Sequence, residues 1–528
     1  MASPKKNSPK TAPSTTDSPP STSNGHERTI RIFLGAVCFL AGASVMVIEI
    51  SAFRLLAPLF GNTVYTWTAL IGVILISFSA GGFLGGHLAD RKLALDLLGW
   101  LLAGAAVLTL FIPALYSVLA PQLSNADLIT GPTMISMLLF AVPGVLLGAV
   151  SPAAVRFYSL TMKDTHVGGA AGTISMLGSL GSFVGTVLSG FVLLSAFGVR
   201  SIFIGTGVLL LLLSVISFLL GKNSLKQQLP VLISAGIAGL LGASAKQASM
   251  PDSIYEEDSF YHRIEVSEMG EGKNKRRILQ LDSTMEGGMN PNDGSLVLDY
   301  QHFWNLARLN PTFDLQSALF IGAGAFGMPE EVSRTFPESN VDVIEIDPKV
   351  IEVGRKFFKL DEHPRVQAHA DDARRYLMRH GDEQWDLIFG DAYNGIRQIP
   401  SHLVTQEFFE LVKSRLSEDG VFIMNAITAI EGERAELLDG ILATLRTVFP
   451  HVEIFGVGGS RKTPQNVILL GSRQDWSTYI TDQLHVPGSW QQRLARSHIP
   501  SRQVPGGDVV FTDDYNPVDA IIARGLLR

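Results

Sequence analysis

Two hydropathy regimes divide this chain. In the first, apolar residues run almost unbroken for about the length of a bilayer crossing, at Ile32 to Ile50, Tyr65 to Leu88, Leu95 to Leu119, Met134 to Val150, Gly172 to Phe197, Ile202 to Leu220 and Leu229 to Ala245. Seven helices are the straightforward reading, the last being short and rich in Gly, Ala and Ser, which insert less readily than Leu or Ile. In the second regime apolar residues come in short bursts between polar segments, alternating strand-like and helix-like spacing. The pattern predicts an α-helical transmembrane bundle followed by an α/β Rossmann-like domain, with a polar tail over residues 1–28, the membrane domain over 29–248, a small β subdomain and linking helix over 249–315, and the sheet domain over 316–528.

The second regime is organised around Ser317 to Gly395. The apolar run Ala318 to Ile321 stops at Gly322-Ala323-Gly324-Ala325-Phe326-Gly327, and a second run, Val341 to Ile346, carries Glu345 and leads into Asp347. A strand, a glycine turn opening a helix and a second strand ending in an acid make up the nucleotide-binding half of a doubly wound domain. The glycines let the backbone approach a ligand, and Glu345 can accept hydrogen bonds from both hydroxyls of a ribose. A third strand ends at Asp371 and Asp372, and a fourth, Trp385 to Phe389, leads into Gly390-Asp391-Ala392-Tyr393-Asn394-Gly395. Ligands of open parallel sheets bind beyond the carboxyl ends of the strands, so Gly322, Gly324, Gly327, Glu345, Asp371 and Asp391 are expected to converge.

Around this centre, Tyr261 to Val266 and Arg277 to Asp282 are predicted to pair as a hairpin, and Leu296 to Leu309 to form a helix carrying Tyr300. Beyond Asp391 the spacing predicts a helix over Thr405 to Leu416, a strand over Gly420 to Asn425, a helix over Glu431 to Val448, and closing strands at Val452 to Val457 and Asn466 to Gly471 that form an antiparallel edge.

Composition narrows the classes. Charged residues make up 17% of the 528, below the roughly 25% of soluble domains, in keeping with a membrane portion. A net charge of −7 offers no broad basic surface, so nucleic acid is not an expected partner. The single cysteine, Cys38, lies in an apolar run and is expected to be a packed thiol. The histidines show no metal-ligand spacing, and no metal is expected. The tail is rich in Pro, Ser, Thr and Lys, which predicts disorder and not a cleaved secretory signal.

The ordered series of pieces carries a family resemblance. Ser259-Phe260-Tyr261-His262, Leu281-Asp282, Tyr300-Gln301, the glycine loop, Glu345-Ile346-Asp347, Asp371, Asp391 and Leu403 to Phe409 together resemble the spermidine synthases, the polyamine aminopropyltransferases, from about Asp258 onward. Their nucleotide half is shared with class I methyltransferases. The resemblance implies decarboxylated S-adenosylmethionine as cofactor, Glu345 on its ribose, Asp371 on its adenine amino group, and Tyr300 with Asp391 at the attacking amine. By the same resemblance Asp347 and Asp372 join the cofactor set, and His262, Gln301 and Asn394 the substrate set. Two positions depart from the family, which carries aspartates where this chain has Ala325 and Asn394.

In that reaction an amine attacks the carbon beside the sulfonium, and a carboxylate within reach keeps the amine unprotonated; Asp391 is the candidate base and a structural turn cap its plainer role. Tyr300 is open to a packed core role. The alternatives are methyl transfer from intact S-adenosylmethionine and, outside catalysis, a polyamine- or nucleoside-binding transporter or sensor. The expected partners are a small-molecule amine and the lipid bilayer.

Basic residues flank alternate connections at Arg28, Arg91 and Lys92, Arg156 and Lys163, and Lys222 and Lys226. The positive-inside rule puts them in the cytoplasm, and seven full crossings then leave the sheet domain outside. An adenosyl donor is made inside cells, so a cytoplasmic domain is expected, with Leu229 to Ala245 stopping short of a full crossing. Small residues at helical spacing, in Gly82 to Gly86 and Gly181 to Gly185, predict close helix packing within the bundle, a homodimer face being the other reading. Glu49 and Arg54 are read as an anchoring pair near the interface, a ligand or ion role being the alternative. The acidic tail Phe511 to Pro517 is read as a solvated turn, with a place beside the acceptor pocket as its alternative.

Overall fold

The computed structural model describes residues 22–61, 63–91, 95–123, 126–127, 129–160, 167–221, 225–245, 252–282, 284–393, 398–483 and 490–527. The helical half comprises α1 (Thr22–Phe60), α2 (Val64–Arg91), α3 (Leu95–Leu123), α4 (Thr130–Leu160), α5 (Val167–Leu188), a π turn at Ser189–Leu193 with the short α6 (Leu194–Ala196), α7 (Val199–Leu220) and α8 (Leu225–Ser244). Six of its helical stretches are long and apolar enough to cross a membrane, and the seventh, over Gln228–Ser244, is shorter. Helix α1 starts at Thr22, so positions 22–28 are helical where the polar composition predicts tail; they extend a helix nucleated by the apolar run behind them.

Small residues set the bundle's closest crossings. A Cβ added at Gly81 or Gly85 would collide with the α4 backbone at Val145 or Ala149, and one at Gly181 or Gly185 with the α1 carbonyls of Phe39 or Ala43. Gly82 and Gly86 face open space. Only one stripe of each glycine run therefore makes contact, and that stripe faces a neighbouring helix of the same chain. Cys38 is buried among these helices.

Helix α8 falls short of the length that the six other stretches reach, its apolar part covering Gln228–Ser244, in keeping with the expected incomplete crossing. Val231 packs in one cluster with Ala103, and Ala235 and Ala238 pack with Leu110 further along α3. Its 20 residues rise about 30 Å at about 1.5 Å each, the apolar part beginning only at Gln228. Ala235, Ala238 and Gly242, weak as insertion signals, pack closely against Leu110 of α3.

The sheet domain follows at the far end. Strands β1 (Ser253–Asp258), β2 (Arg263–Met269), β3 (Arg276–Leu281) and β4 (Thr284–Met289) form a four-stranded antiparallel sheet. Ile264 pairs with Leu281 and Val266 with Leu279, the expected hairpin. Asp299–Leu309 is a 3-10 helix, tighter than the α-helix its pattern predicts.

The large sheet then alternates β5 (Ser317–Ile321), α9 (Gly327–Thr335), β6 (Asn340–Glu345), α10 (Pro348–Phe357), β7 (Val366–Ala370), α11 (Ala373–Arg379), β8 (Trp385–Gly390), α12 (Gln406–Ser414), β9 (Leu416–Thr428), α13 (Glu436–Val448), β10 (His451–Gly456) and β11 (Gln465–Ser472). The last elements are α14 (Ser477–Gln483), α15 (Trp490–Arg496), β12 (His498–Ile499) and α16 (Val518–Leu527). The strand order is β12-β10-β11-β9-β8-β5-β6-β7, parallel from β9 to β7 and antiparallel at the β10–β11 edge. Phe320 and Phe389 pack on one face, and Leu319, Ile321 and Ile388 on the other. Both faces being covered explains why these strands read as continuous apolar runs.

The two halves touch. Arg54 on α1 donates to the carbonyls of Ser259, at 3.3 Å, and of Tyr261; it reaches across to the sheet domain and forms no ion pair with Glu49, five residues away and on a different helix face. Gly198, before α7, faces Asp258, and Ala523 of α16 packs into the bundle core. These contacts lie at the ends of α1 and α6. The sheet domain therefore sits opposite the helix ends that carry Arg28, Arg91 and Arg156, of which Arg156 lies 3.7 Å from Asp90.

Candidate active site

Strand β5 ends at Gly322, whose φ of +93° is open to glycine, and a Cβ there would strike the carbonyl of Asp391 at the end of β8. Two neighbouring strand ends are thus brought into contact, and Asp391 N–H donates to Ile321 O at 2.8 Å. Gly324, φ +48°, turns the loop under β4, where an added Cβ would lie 2.9 Å from Glu286 O. Gly327 begins α9 and admits Leu296 close to the helix; it does not border the cleft.

Beyond these strand ends lies a cleft of about 610 Å³, bordered by Gly322, Gly324, Glu345, Asp371, Asp372, Asp391 and His262 among others. Glu345 is held by two backbone donors, Ala323 N–H on Oε2 at 3.1 Å and Asp347 N–H on Oε1 at 3.0 Å. Burial raises its carboxyl above the usual range, against these bonds and the nearby His262. Each oxygen accepts a second hydrogen bond in principle, so the fixed carboxylate suits a pair of ligand hydroxyls.

Asp371 borders the cleft but also pairs with Arg375, with Arg379 at 3.5 Å. Asp372 caps α11 through Arg375 N–H at 2.9 Å and meets His402 Nε2 at 2.8 Å. That histidine bond holds its carboxyl below the usual range. His262 is buried, its Nδ1 3.2 Å from Asp282. Desolvation alone would lower its imidazole, but Asp282, Glu345 and Asp347 together raise it.

A second cleft, about 910 Å³, opens on the other side of Asp391 and is bordered by Tyr300, Glu286, Tyr393, Asn425 and Asn466. Tyr300 Oη donates to Glu286 O at 3.0 Å, and Asn425 Nδ2 donates to Asp391 Oδ1 at 2.8 Å. Burial pushes the Asp391 carboxyl up to about 7, against the bonds from Asn425 and Tyr300. A carboxyl poised there can take a proton near neutral pH.

Two further expected residues, Asp347 and Gln301, lie outside the clefts. Asp347 caps α10, accepting from Lys349 N–H at 3.0 Å, and its other oxygen takes the Ser259 hydroxyl; an acid following a strand and preceding Pro348 is a helix cap before it is a ligand. Gln301 turns inward to accept from Leu298 N–H at 3.2 Å and borders neither cleft, because the 3-10 helix needs that cap. Asn394 lies outside the described residues. The acidic tail meets Arg374 through Asp513 with Tyr515 exposed, a surface turn clear of the second cleft.

Sequence reasoning missed Glu286, Tyr393 and Asn425. Glu286 sits on β4, a strand with two glycines and no alternation to reveal it; an isolated acid amid apolar and glycine residues was its one signal. Among the described residues no group of three His, Cys, Asp or Glu side chains is arranged to hold a metal ion.

The family model described as "Spermine/spermidine synthase domain" matches residues 308–458. A polyamine aminopropyltransferase of Vibrio vulnificus is 36% identical over 133 residues, covering 25% of this chain and 42% of that protein. A polyamine aminopropyltransferase of Corynebacterium efficiens is 24% identical over 487 residues, 85% of this chain and 88% of that protein. An eEF1A lysine and N-terminal methyltransferase of Mus musculus is 31% identical over 161 residues, 28% of this chain and 22% of that protein. The chain thus spans less than half the length of the Vibrio and Mus proteins. Among solved structures, a probable spermidine synthase from Corynebacterium glutamicum matches with a TM-score of 0.38 and 19% identity, over 53% of this chain and 94% of that one.

Proposed function

We propose that this chain, whose carboxy-terminal half carries a spermine/spermidine synthase domain, is a membrane-anchored aminopropyltransferase acting on a small amine. The observation that carries this reading is Asp391 at the meeting of two clefts, one bordered by Gly322, Gly324 and Glu345, the other by Tyr300. A base between a donor cleft and an acceptor cleft is what a displacement between two bound partners requires.

The decarboxylated S-adenosylmethionine donor fits the first cleft, where Glu345 presents a fixed carboxylate to ribose hydroxyls and the Gly322–Gly324 turn leaves room for close approach. It supplies a carbon activated by its neighbouring sulfonium. Tyr300 and Asp391 hold the amine along the line of attack, and Asp391 removes its proton as the new C–N bond forms and the C–S bond breaks. The nucleoside product is methylthioadenosine. Incubating the purified full chain with decarboxylated S-adenosylmethionine and a panel of amines is expected to release methylthioadenosine. Release of S-adenosylhomocysteine from S-adenosylmethionine instead would establish methyl transfer, the activity named for the Mus musculus relative; tight binding of a nucleoside or polyamine with neither product would establish a binding protein.

Supply of the donor assigns the sheet domain to the cytoplasmic face. That placement requires the helix ends with Arg28, Arg91 and Arg156 to face outward, against the positive-inside rule, because the sheet domain packs at the opposite ends of the helices. Labelling a cysteine introduced near Arg528 with an impermeant thiol reagent tests it. Protection in intact cells supports the cytoplasmic face; labelling without lysis overturns it.

A further inference from the structure

Glu286 stands at the seam of the two clefts, without a counter-ion among the described residues. It borders the donor cleft with Gly322 and Gly324 and the acceptor cleft with Tyr300. Its strand lies directly on the glycine turn, since a Cβ added at Gly287 would come within 2.7 Å of Ala325 N and one at Gly324 within 2.9 Å of Glu286 O. Among the described residues nothing pairs with its buried Oε1. The charges that act on it from described residues, Asp391, Glu345 and Asp282, are all acids. Burial first, then those acids, pushes the Glu286 carboxyl well above the usual range. A buried carboxyl oxygen without a partner is costly, and a ligand ammonium would remove that cost while neutralising part of the surrounding negative field.

We infer that Glu286 is the counter-ion for the terminal ammonium of the donor's three-carbon tail, and so the residue that selects a decarboxylated donor. The inference rests on the aminopropyl-transfer reading. Two ammonium groups need places here: the attacking amine belongs beside Asp391 and Tyr300, whereas the group next to the Gly324–Ala325 turn belongs to the molecule which that turn holds. Ala325 brings no charge of its own, so β4 supplies it. An intact S-adenosylmethionine tail would bring its α-carboxylate toward Glu286, Glu345 and Asp391, where like charges repel.

The test uses the full-length protein with Glu286→Gln and Glu286→Asp. Donor affinity is measured by calorimetry for decarboxylated S-adenosylmethionine, S-adenosylmethionine and methylthioadenosine, which has no tail ammonium. Glu286→Gln is expected to weaken the decarboxylated donor about tenfold or more and to leave methylthioadenosine within about twofold, with Glu286→Asp recovering part of the loss. Equal weakening of methylthioadenosine would mark Glu286 as structural, and an unchanged decarboxylated donor would remove the counter-ion role; either overturns the inference. Failure of the functional reading is seen separately, as wild-type protein that binds the decarboxylated donor and releases no methylthioadenosine with any amine.

Discussion

The two halves of this molecule spend glycine on opposite needs. In the bundle, Gly81, Gly85, Gly181 and Gly185 have ordinary helical backbone and are small because a neighbouring helix's carbonyls occupy the space of a side chain. At the rim of the sheet, Gly322 and Gly324 have positive φ, and their loop brings Ala323 N–H to Glu345 and the end of β5 to Asp391. One half uses glycine for contact area, the other for backbone shape. The contrast implies that damage to the rim should remove turnover and leave the fold, while damage to the bundle should remove stability and leave the chemistry of whatever remains folded.

The largest effect is expected at the rim. Asp391→Asn keeps the shape and the Asn425 neighbourhood but removes the base, and kcat should fall about 10³-fold, with the unfolding midpoint unchanged or raised, because a buried carboxylate is replaced by an amide. Full turnover in a stopped assay of methylthioadenosine release would remove Asp391 from the base role. The pH profile sharpens this. With the Asp391 carboxyl raised to about 7, the active ionised form is lost as pH falls below that value, so kcat/KM should drop about tenfold per unit on the acid side. The stability effect has the opposite sign: a carboxyl raised by folding favours the fold at low pH, and that contribution is lost as pH rises through about 7. An acid limb that survives unchanged in Asp391→Asn, measured on its residual rate, would assign the titration to another group.

The bundle carries the complementary prediction. Gly181→Leu drives a side chain into the Phe39 carbonyl and should destabilise the detergent-solubilised protein by about 3 kcal/mol, whereas Gly82→Leu points into open space and should cost little. Equal thermal shifts for the two would mean that the α1–α5 crossing is not the tight contact it is in this structure.

What could be read before folding follows the same division. Helix existence was legible because apolar runs of bilayer length have few alternatives, and the first four parallel strands because each leads into a glycine or an acid. The roles of individual rim residues were less legible. Asp347 and Asp372 look alike in sequence, yet only Asp372 reaches the cleft; helix capping and ligand binding ask for the same carboxylate at a strand-to-helix turn. Glu286 had only a faint signal because its importance comes from a strand crossing over the glycine turn, a contact between segments that no local spacing encodes. The shortness of α8 was legible, since its Gly, Ala and Ser give a weak apolar run.

Arg54 is where the contrast between the halves should fail. It is a bundle residue, buried on α1, yet it donates to the carbonyls of Ser259 and Tyr261. Ser259 Oγ in turn accepts from His262 N–H at 2.8 Å and donates to Asp347, so one turn joins the membrane helix to the wall of the donor cleft. Removing the guanidinium in Arg54→Ala should loosen that turn and raise the donor KM about fivefold, on the order of 1 kcal/mol for a lost hydrogen bond, with kcat within about twofold because Asp391 and Tyr300 are untouched. Arg54→Lys keeps the charge but cannot span both carbonyls in a fixed fork, and should recover only part of the loss. If Arg54→Ala lowers the unfolding midpoint and leaves the donor KM as it was, the arginine is one more packing residue and the bundle acts as an anchor alone; if KM moves and the midpoint does not, the membrane helix helps shape the site.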